Sequence, residues 1–343
     1  MTRTLTEREL NRALLARQML LERVKTPLPR ALERMGGLQA QYAPSMYIGL
    51  WTRLESFERD QLTRALERRS VVQGSMMRAT IHLVSKRDYW PFVVGIRRPL
   101  REWWLRTHGR DLDAKTIAAN DRKVRRAFDG GTLMTRAELE AVLGTRLGLA
   151  GLFIDLVRVP PSGTWERRRA DLYALAEDWV GPESATEADG IELLVRRYLQ
   201  GFGPARPAEI ADWASLDVKT TRQALERLEL RRFQDEDGKE LVDLPRLPLP
   251  DEDTPAPVRF LPVWDATLLV HARRTQILPE RHRPRLFNVR TPQSANTFLV
   301  DGQVAGTWRY EKGRVRIEPF GRLSKSVRAE LNDEAERLSE FHA

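Results

Sequence analysis

The sequence predicts an α+β chain of three tandem helical units, each closed by a β-hairpin, followed by a strand-rich C-terminal segment with a final helix. Three observations carry this reading. Apolar residues recur at helical spacing in three separate stretches, each stretch is followed by short alternating runs, and beyond Pro257 strand-like texture takes over.

In chain order, Thr6 and Glu9 form a capping box that opens a long first helix. PLPRALERMGGLQAQ follows as a second helix and SFERDQLTRALERRS as a third, and the alternating VVQGSMMRATIHLVS reads as hairpin strands. In the second unit Thr135 and Glu138 form another capping box, GLAGLFIDLVRV is a helical run, and PPSGTWERRRADLYAL supplies a hairpin turning at Ser162 and Gly163. The third unit is the clearest. GIELLVRRYLQGF is an apolar-periodic helix, PARPAEIADWASL opens a second with Pro207 early, DVKTTRQALERLEL gives a third, and LRRF and ELVDL are strands around DEDGK. Helix, helix, turn, helix, hairpin is the winged helix-turn-helix, whose third helix ordinarily enters a DNA groove while the wing touches backbone. The acidic, proline-rich QDEDGKELVDLPRLPLPDED reads as a wing running into a linker. Boundaries follow at 1–115, 116–185, 186–250 and 251–343. In the last segment Asp301-Gly302 and Lys312-Gly313 join alternating runs as hairpins, and SKSVRAELNDEAERLSEFH turns Val327, Leu331, Leu338 and Phe341 to one face that covers the sheet.

Composition bounds the function. A hydrophobic content of 41% with nine Trp and eleven Phe is that of a globular chain with buried cores. No long apolar run occurs and the start, MTRTLTERELNR, is charged, so a soluble cytoplasmic protein without membrane contact is expected. The absence of cysteine excludes disulfides, thiolate catalysis and cysteine-ligated zinc. Five scattered histidines, none spaced as HxxxH or HxH, argue against a histidine metal site, so no metal or cofactor is expected. The net charge of +9 points to a polyanion, because each Lys or Arg placed on a phosphate releases condensed counterions. That charge is clustered: six arginines meet one acid, Glu280, between His271 and Arg290, and Arg167, Arg168 and Arg169 closely follow Trp165.

The blocks GGLQAQYAPSMYIGLWTRL, MRATIHLVSKRDY, PPSGTWERRRADLYALAEDW, FLPVWDATLLVHARR and VDGQVAGTWR stand in the order found in AlkZ-type winged-helix DNA glycosylases. The chain resembles that family over nearly its whole length. The resemblance implies three tandem winged helices and a C-terminal β-barrel in a C-shaped arrangement around DNA. It also implies that Gln39-Ala40-Gln41, the Gln-apolar-Gln form of the family's motif, lies in the catalytic centre; the Gln-apolar-Asp branch would need an aspartate at Gln41. The implied activity is hydrolysis of the N-glycosidic bond of bulky or crosslinking N7-alkylguanine lesions in double-stranded DNA by a monomer. The Gln-apolar-Gln branch further implies self-resistance to a DNA-alkylating natural product.

Glutamines suit that chemistry. An N7-alkylated guanine already carries positive charge and leaves without a strong general acid, so the enzyme must hold a water against C1′ and tolerate an oxocarbenium-like sugar. Carboxamides accept hydrogen bonds from a water and donate to phosphate or sugar oxygens, but cannot deprotonate the water. Lys25 is the closest upstream lysine, which disfavours Schiff-base lyase chemistry. Candidate DNA contacts are Arg78, Thr80 and His82, which alternate along a strand-like segment and fit either a phosphate or cross-strand packing with His82 in the core. Trp165, Arg167 and Arg168 sit where a wing meets DNA, with ordinary packing an equal alternative for Trp165, and Arg285, Asn288 and Arg290 fall in a loop suited to the minor groove. Asp265 is expected to make a structural hydrogen bond, and Trp103 and Trp104 to pack in the core. The rival reading is a non-catalytic winged-helix regulator; such proteins usually pair one module per subunit with a dimer interface, unlike three modules in one chain.

Overall fold

The computed structural model describes residues 2–108, 113–150, 153–269, 274–287 and 295–343. Helix α1 (Glu7–Arg17) begins at Thr6, whose hydroxyl accepts from Glu9 N at 3.0 Å while the Glu9 carboxylate accepts from Thr6 N at 2.9 Å, closing the predicted capping box. Then follow α2 (Leu28–Met35), β1 (Leu38–Gln39), α3 (Ala43–Trp51), α4 (Arg59–Glu67), β2 (Val71–Ser75), β3 (Ile81–Ser85) and α5 (Lys86–His108). Two of these helices are absent from the sequence reading. Every residue of α3 is buried, so no polar face gives it a helical period. Helix α5 runs through Pro91 and Pro99, residues that ordinarily signal a helix end.

The next elements are α6 (Ala114–Ala127), β4 (Met134–Thr135), α7 (Arg136–Leu143), α8 (Leu147–Ala150), β5 (Leu156–Arg158), β6 (Leu172–Leu175) and α9 (Ala176–Trp179). The Thr135 to Glu138 capping box forms. The helical run expected through GLAGLFIDLVRV instead ends in a strand. Arg158 pairs with Gln73 on one side and with Tyr173 on the other, and this tertiary pairing overrides the local periodicity. Ser162 and Gly163 lie inside a longer connection, 159–171, in which Ser162 Oγ accepts from Asp171 N at 2.7 Å and Gly163 N donates to Arg167 O at 2.8 Å.

The third unit matches its sequence reading element by element: α10 (Glu187–Phe202), α11 (Pro207–Ala214), α12 (Val218–Leu225) and the hairpin β7 (Arg231–Gln234) with β8 (Glu240–Asp243). Between α11 and α12, Ser215 adopts the left-handed conformation and Asp217 caps α12 by accepting from Thr220 N at 2.7 Å.

The C-terminal segment holds β9 (Arg259–Leu261), α13 (Ala266–Leu269), α14 (Arg283–Leu286), β10 (Thr297–Val300), β11 (Gln303–Glu311), β12 (Arg314–Pro319) and α15 (Lys325–His342). Both predicted hairpins form, with Val300 opposite Gln303 and Glu311 opposite Arg314. The expected closed barrel does not. Among the described residues the strands make an open antiparallel sheet in the order β12-β11-β10-β9. Leu331, Ala335 and Leu338 of α15 pack with Phe260, Trp308 and Val315, so the helix buries the apolar face without strand closure.

Strands from residues 1–115 and 116–185 share one antiparallel sheet, ordered β1-β3-β2-β5-β6-β4. The third unit docks on it through α10 crossing α5 at backbone contact. A Cβ on Gly190 would lie 2.3 Å from Pro91 O and 2.7 Å from Gly95 N, so only glycine permits this approach. Two buried ion pairs tie distant segments together. Arg17 in α1 donates to both carboxylate oxygens of Asp243 at 2.7 and 2.9 Å, and Arg53, just past α3, does the same to Asp265 at 2.9 and 3.0 Å. The expected structural role of Asp265 is thereby observed.

Asp265→Ala strands the Arg53 charge in the interior and is expected to lower stability by about 3–5 kcal/mol. Gly190→Ala, which forces α10 away from α5, is expected to lower it by about 1–3 kcal/mol. Urea unfolding checks both, and a midpoint equal to wild type in either variant would contradict the corresponding contact.

Candidate active site

The glutamine motif is placed by a sharp turn. Helix α2 stops at Met35, and Gly36 and Gly37, with φ of +76° and +83°, reverse the chain through two left-handed residues. A Cβ on Gly37 would sit 3.1 Å from Leu83 O, so the turn also needs glycine for close approach. The chain then enters β1, a strand rather than the end of the predicted helix, and pairs with β3 as Leu38 to Leu83 and Gln39 to His82. Opposed residues of an antiparallel pair share a face with Cβ atoms about 5 Å apart. Gln39 and His82 are therefore neighbours.

The two carboxamides occupy different settings. Gln39 is 9% exposed, and no other group among the described residues hydrogen-bonds its side chain. Gln41 is exposed, and its Oε1 accepts from Ile81 N at 3.0 Å, just after Ala40 N donates to Ile81 O at 2.7 Å. Gln41 also lines a cavity of about 380 Å³ on the side of the sheet that carries Ile81 and Arg158. The next residue, Tyr42, is exposed, and its hydroxyl accepts from Arg168 Nη1 at 3.2 Å. This link between the motif and the 159–171 connection is not visible in the sequence; the only sign was an aromatic directly after the motif.

Arg78, Thr80 and His82 do not alternate on one strand face. Arg78 lies in the turn before β3 with φ of +56°, donating from its backbone to Ser215 Oγ at 2.9 Å and from Nη1 to Trp213 O at 3.0 Å. Thr80 Oγ1 donates to Met77 O at 3.0 Å. His82 is buried with Nδ1 3.1 Å from Thr80 O; burial first, then the nearby Arg78 charge, lowers its pKa to about 3, so the imidazole is neutral.

Trp165 is packed edge-on against Tyr47 and Phe341, each at 5.6 Å, with the guanidinium of Arg59 5.1 Å and that of Arg168 5.8 Å from its ring. Its ring is core, whereas Arg167 and Arg168 are exposed. Arg285 is exposed on α14 with its guanidinium 4.9 Å from the Phe320 ring, so this stretch is helical where a loop was expected. Asn288 and Arg290 lie outside the described residues. Trp104 is buried as expected, but Trp103 is 43% exposed. Among the described residues no group of three histidines, aspartates or glutamates could hold a metal ion, and no helix is long and apolar enough to cross a membrane.

Comparison with known proteins gives this geometry a context. The Streptomyces sahachiroi DNA glycosylase AlkZ has a similar structure, with a TM-score of 0.82 at 18% sequence identity over 99% of this chain and 97% of that one. At that identity the likeness shows the fold. No curated protein matches. The family described as DNA glycosylase AlkZ-like matches residues 32–341, a span that takes in the glutamine turn, the Arg168 connection and the C-terminal sheet, and the chain therefore belongs to the AlkZ-like DNA glycosylase family.

Proposed function

We propose that this DNA glycosylase is monofunctional and monomeric, and that it hydrolyses the N-glycosidic bond of bulky or crosslinking N7-alkylguanines in duplex DNA. Gln39 and Gln41 form its catalytic centre. The observation that carries the assignment is the Gln39 carboxamide, unbonded among the described residues, beside a neutral His82, with Gln41 lining an open cavity. A buried carboxamide without a protein partner is ready to hold a water. In the reaction the C1′–N9 bond breaks with its electron pair leaving on the alkylated base, whose positive charge that pair neutralises. Water oxygen then bonds to C1′ and its proton passes to solvent. The glutamines position the water and their carbonyl dipoles face the developing sugar cation.

Around this centre we assign three winged helices, with the boundaries 1–115, 116–185 and 186–250, to a C-shaped grip on the duplex. Arg167, Arg168 and Arg285 are exposed and suit phosphate contacts, as do Asn288 and Arg290 by their sequence position. Arg78 tethers the β2–β3 turn to α11, His82 lies opposite Gln39, and Thr80 lies next to His82. Self-resistance to a DNA-alkylating natural product is the physiological setting that fits a bulky lesion. Incubation with a duplex carrying one N7-alkylguanine, followed by heating in alkali, tests the reading: strand cleavage at the lesion supports it, and an intact strand with tight sequence-specific binding favours a regulator instead.

Gln39→Ala and Gln41→Ala are each expected to slow single-turnover excision by about one to three powers of ten with DNA affinity nearly unchanged. Wild-type rates in the double variant would remove the glutamines from the mechanism. Neither amide titrates, and His82 with a pKa of about 3 stays neutral throughout, so excision is expected to be flat in rate between about pH 6 and 8.5. A sigmoidal or bell-shaped profile in that range would reveal a general acid or base.

A further inference from the structure

The cavity beside Gln41 has a mixed lining. Trp103 and Leu156 are among its apolar lining residues, and Arg136, Arg158, Tyr173 and Ser75 supply the polar groups, called here the polar wall. Arg158 Nη1 donates to Ser75 Oγ at a long 3.3 Å, and its guanidinium lies 5.3 Å from the Tyr173 ring. Arg158 Nε and the Tyr173 hydroxyl are buried, and neither is within hydrogen-bond distance and angle of a partner among the described residues, although Arg136 and Arg158 both lie close enough to the hydroxyl to feel it. Arg136 is the first residue of α7, at the positive end of that helix's dipole. Neither guanidinium forms an ion pair among the described residues; Asp171, on the same connection, pairs with Arg169. Burial lowers the pKa of Arg158, Tyr173 beside it raises it, and the charge of Arg136 lowers it, while Tyr173 together with Glu140 and Asp171 raises that of the exposed Arg136; the two guanidiniums thus share one hydroxyl and no carboxylate ion-pairs with either among the described residues. A buried cation is ordinarily paired, and a donor left without an acceptor costs its desolvation. The polar wall is short of one group, an oxygen-rich anion.

We propose that this cavity binds a phosphodiester of the DNA strand that carries the excised nucleotide, with Arg136, Arg158 and Tyr173 donating to its oxygens and the adjoining sugar against Trp103. A phosphate fits where the lesion base does not, because an N7-alkylguanine is cationic and the polar wall would repel it. Gln41 lies on the rim, so the phosphate bound here is one close to the lesion. This choice of strand and position rests on the glycosylase reading above.

The test measures binding to duplexes with a tetrahydrofuran abasic-site analogue, in which each linkage flanking the analogue is replaced in turn by a neutral methylphosphonate. In wild type one such replacement is expected to weaken binding about tenfold, and in Arg136→Ala the same replacement by less than about twofold. On the unmodified duplex the salt slope of Arg136→Ala is expected to fall by about 1. Arg158→Lys, which keeps the charge but not the paired donors, should show an intermediate loss; Arg136 is exposed, so its variant still decides the matter if Arg158→Lys does not fold. A methylphosphonate profile identical in wild type and Arg136→Ala overturns the proposal. So does a variant that alters excision among different adducts while its phosphate profile stays wild-type, since the cavity would then take the adduct. Wild-type excision from an unmodified backbone, run in parallel, judges the glycosylase reading separately, because the phosphate readout is binding alone.

Discussion

The bidentate pair between Arg53 and Asp265 is the contact on which the placement of the site depends. Both side chains are essentially inaccessible to solvent. Arg53 also donates to Gly49 O at 2.9 Å, and Asp265 Oδ1 further accepts from Thr267 N at 3.0 Å and Thr267 Oγ1 at 2.8 Å, so fixed protein groups surround the carboxylate and both terminal nitrogens of Arg53, leaving its Nε without a partner among the described residues. Exchanging such a pair for apolar residues is often neutral in stability. What the pair supplies here is position. Helix α3 runs from the glutamine motif to Arg53, and Asp265 stands at the start of α13, so the C-terminal segment fixes the far end of the helix whose near end presents Gln41 and Tyr42.

A second constraint acts from the side. β5 pairs with both β2 and β6, which makes the first two units one sheet, and the 159–171 connection between β5 and β6 returns to the motif through Arg168 and Tyr42. The motif is thus held by three segments far apart in sequence. Pairing with β3 sets its register, Arg53 sets the angle of α3, and Arg168 ties down the residue that follows Gln41.

What the sequence disclosed was local. The capping boxes at Thr6 and Thr135, the hairpin turns at Asp301 and Lys312, and the whole third unit depend on residues within a few positions of each other, and all are present. Features set by tertiary contact were hidden. Helix α3 has no polar face, α5 passes through two prolines, and β5 becomes a strand only because partners flank it on both sides. The barrel was an expectation from family likeness, and α15 takes over the burial that closure would have provided. Gln39 and Gln41 stood out by type, and their candidate role came from the family resemblance rather than from spacing. The packed ring of Trp165 was one of two readings the sequence left open, whereas the unequal environments of the glutamines and the pairing of His82 with Gln39 were hidden, because they follow from strand register.

β1 is two residues long and lies at the edge of its sheet, with β3 as its single strand neighbour among the described residues. An edge strand so short contributes few ladder hydrogen bonds, and segments of that kind open locally at a free-energy cost well below that of global unfolding. Helix α3 is anchored behind the motif by Arg53. The register of the glutamines therefore rests on a short ladder, and the tethers at Arg53 and Arg168 carry the part of their placement that so few ladder bonds cannot.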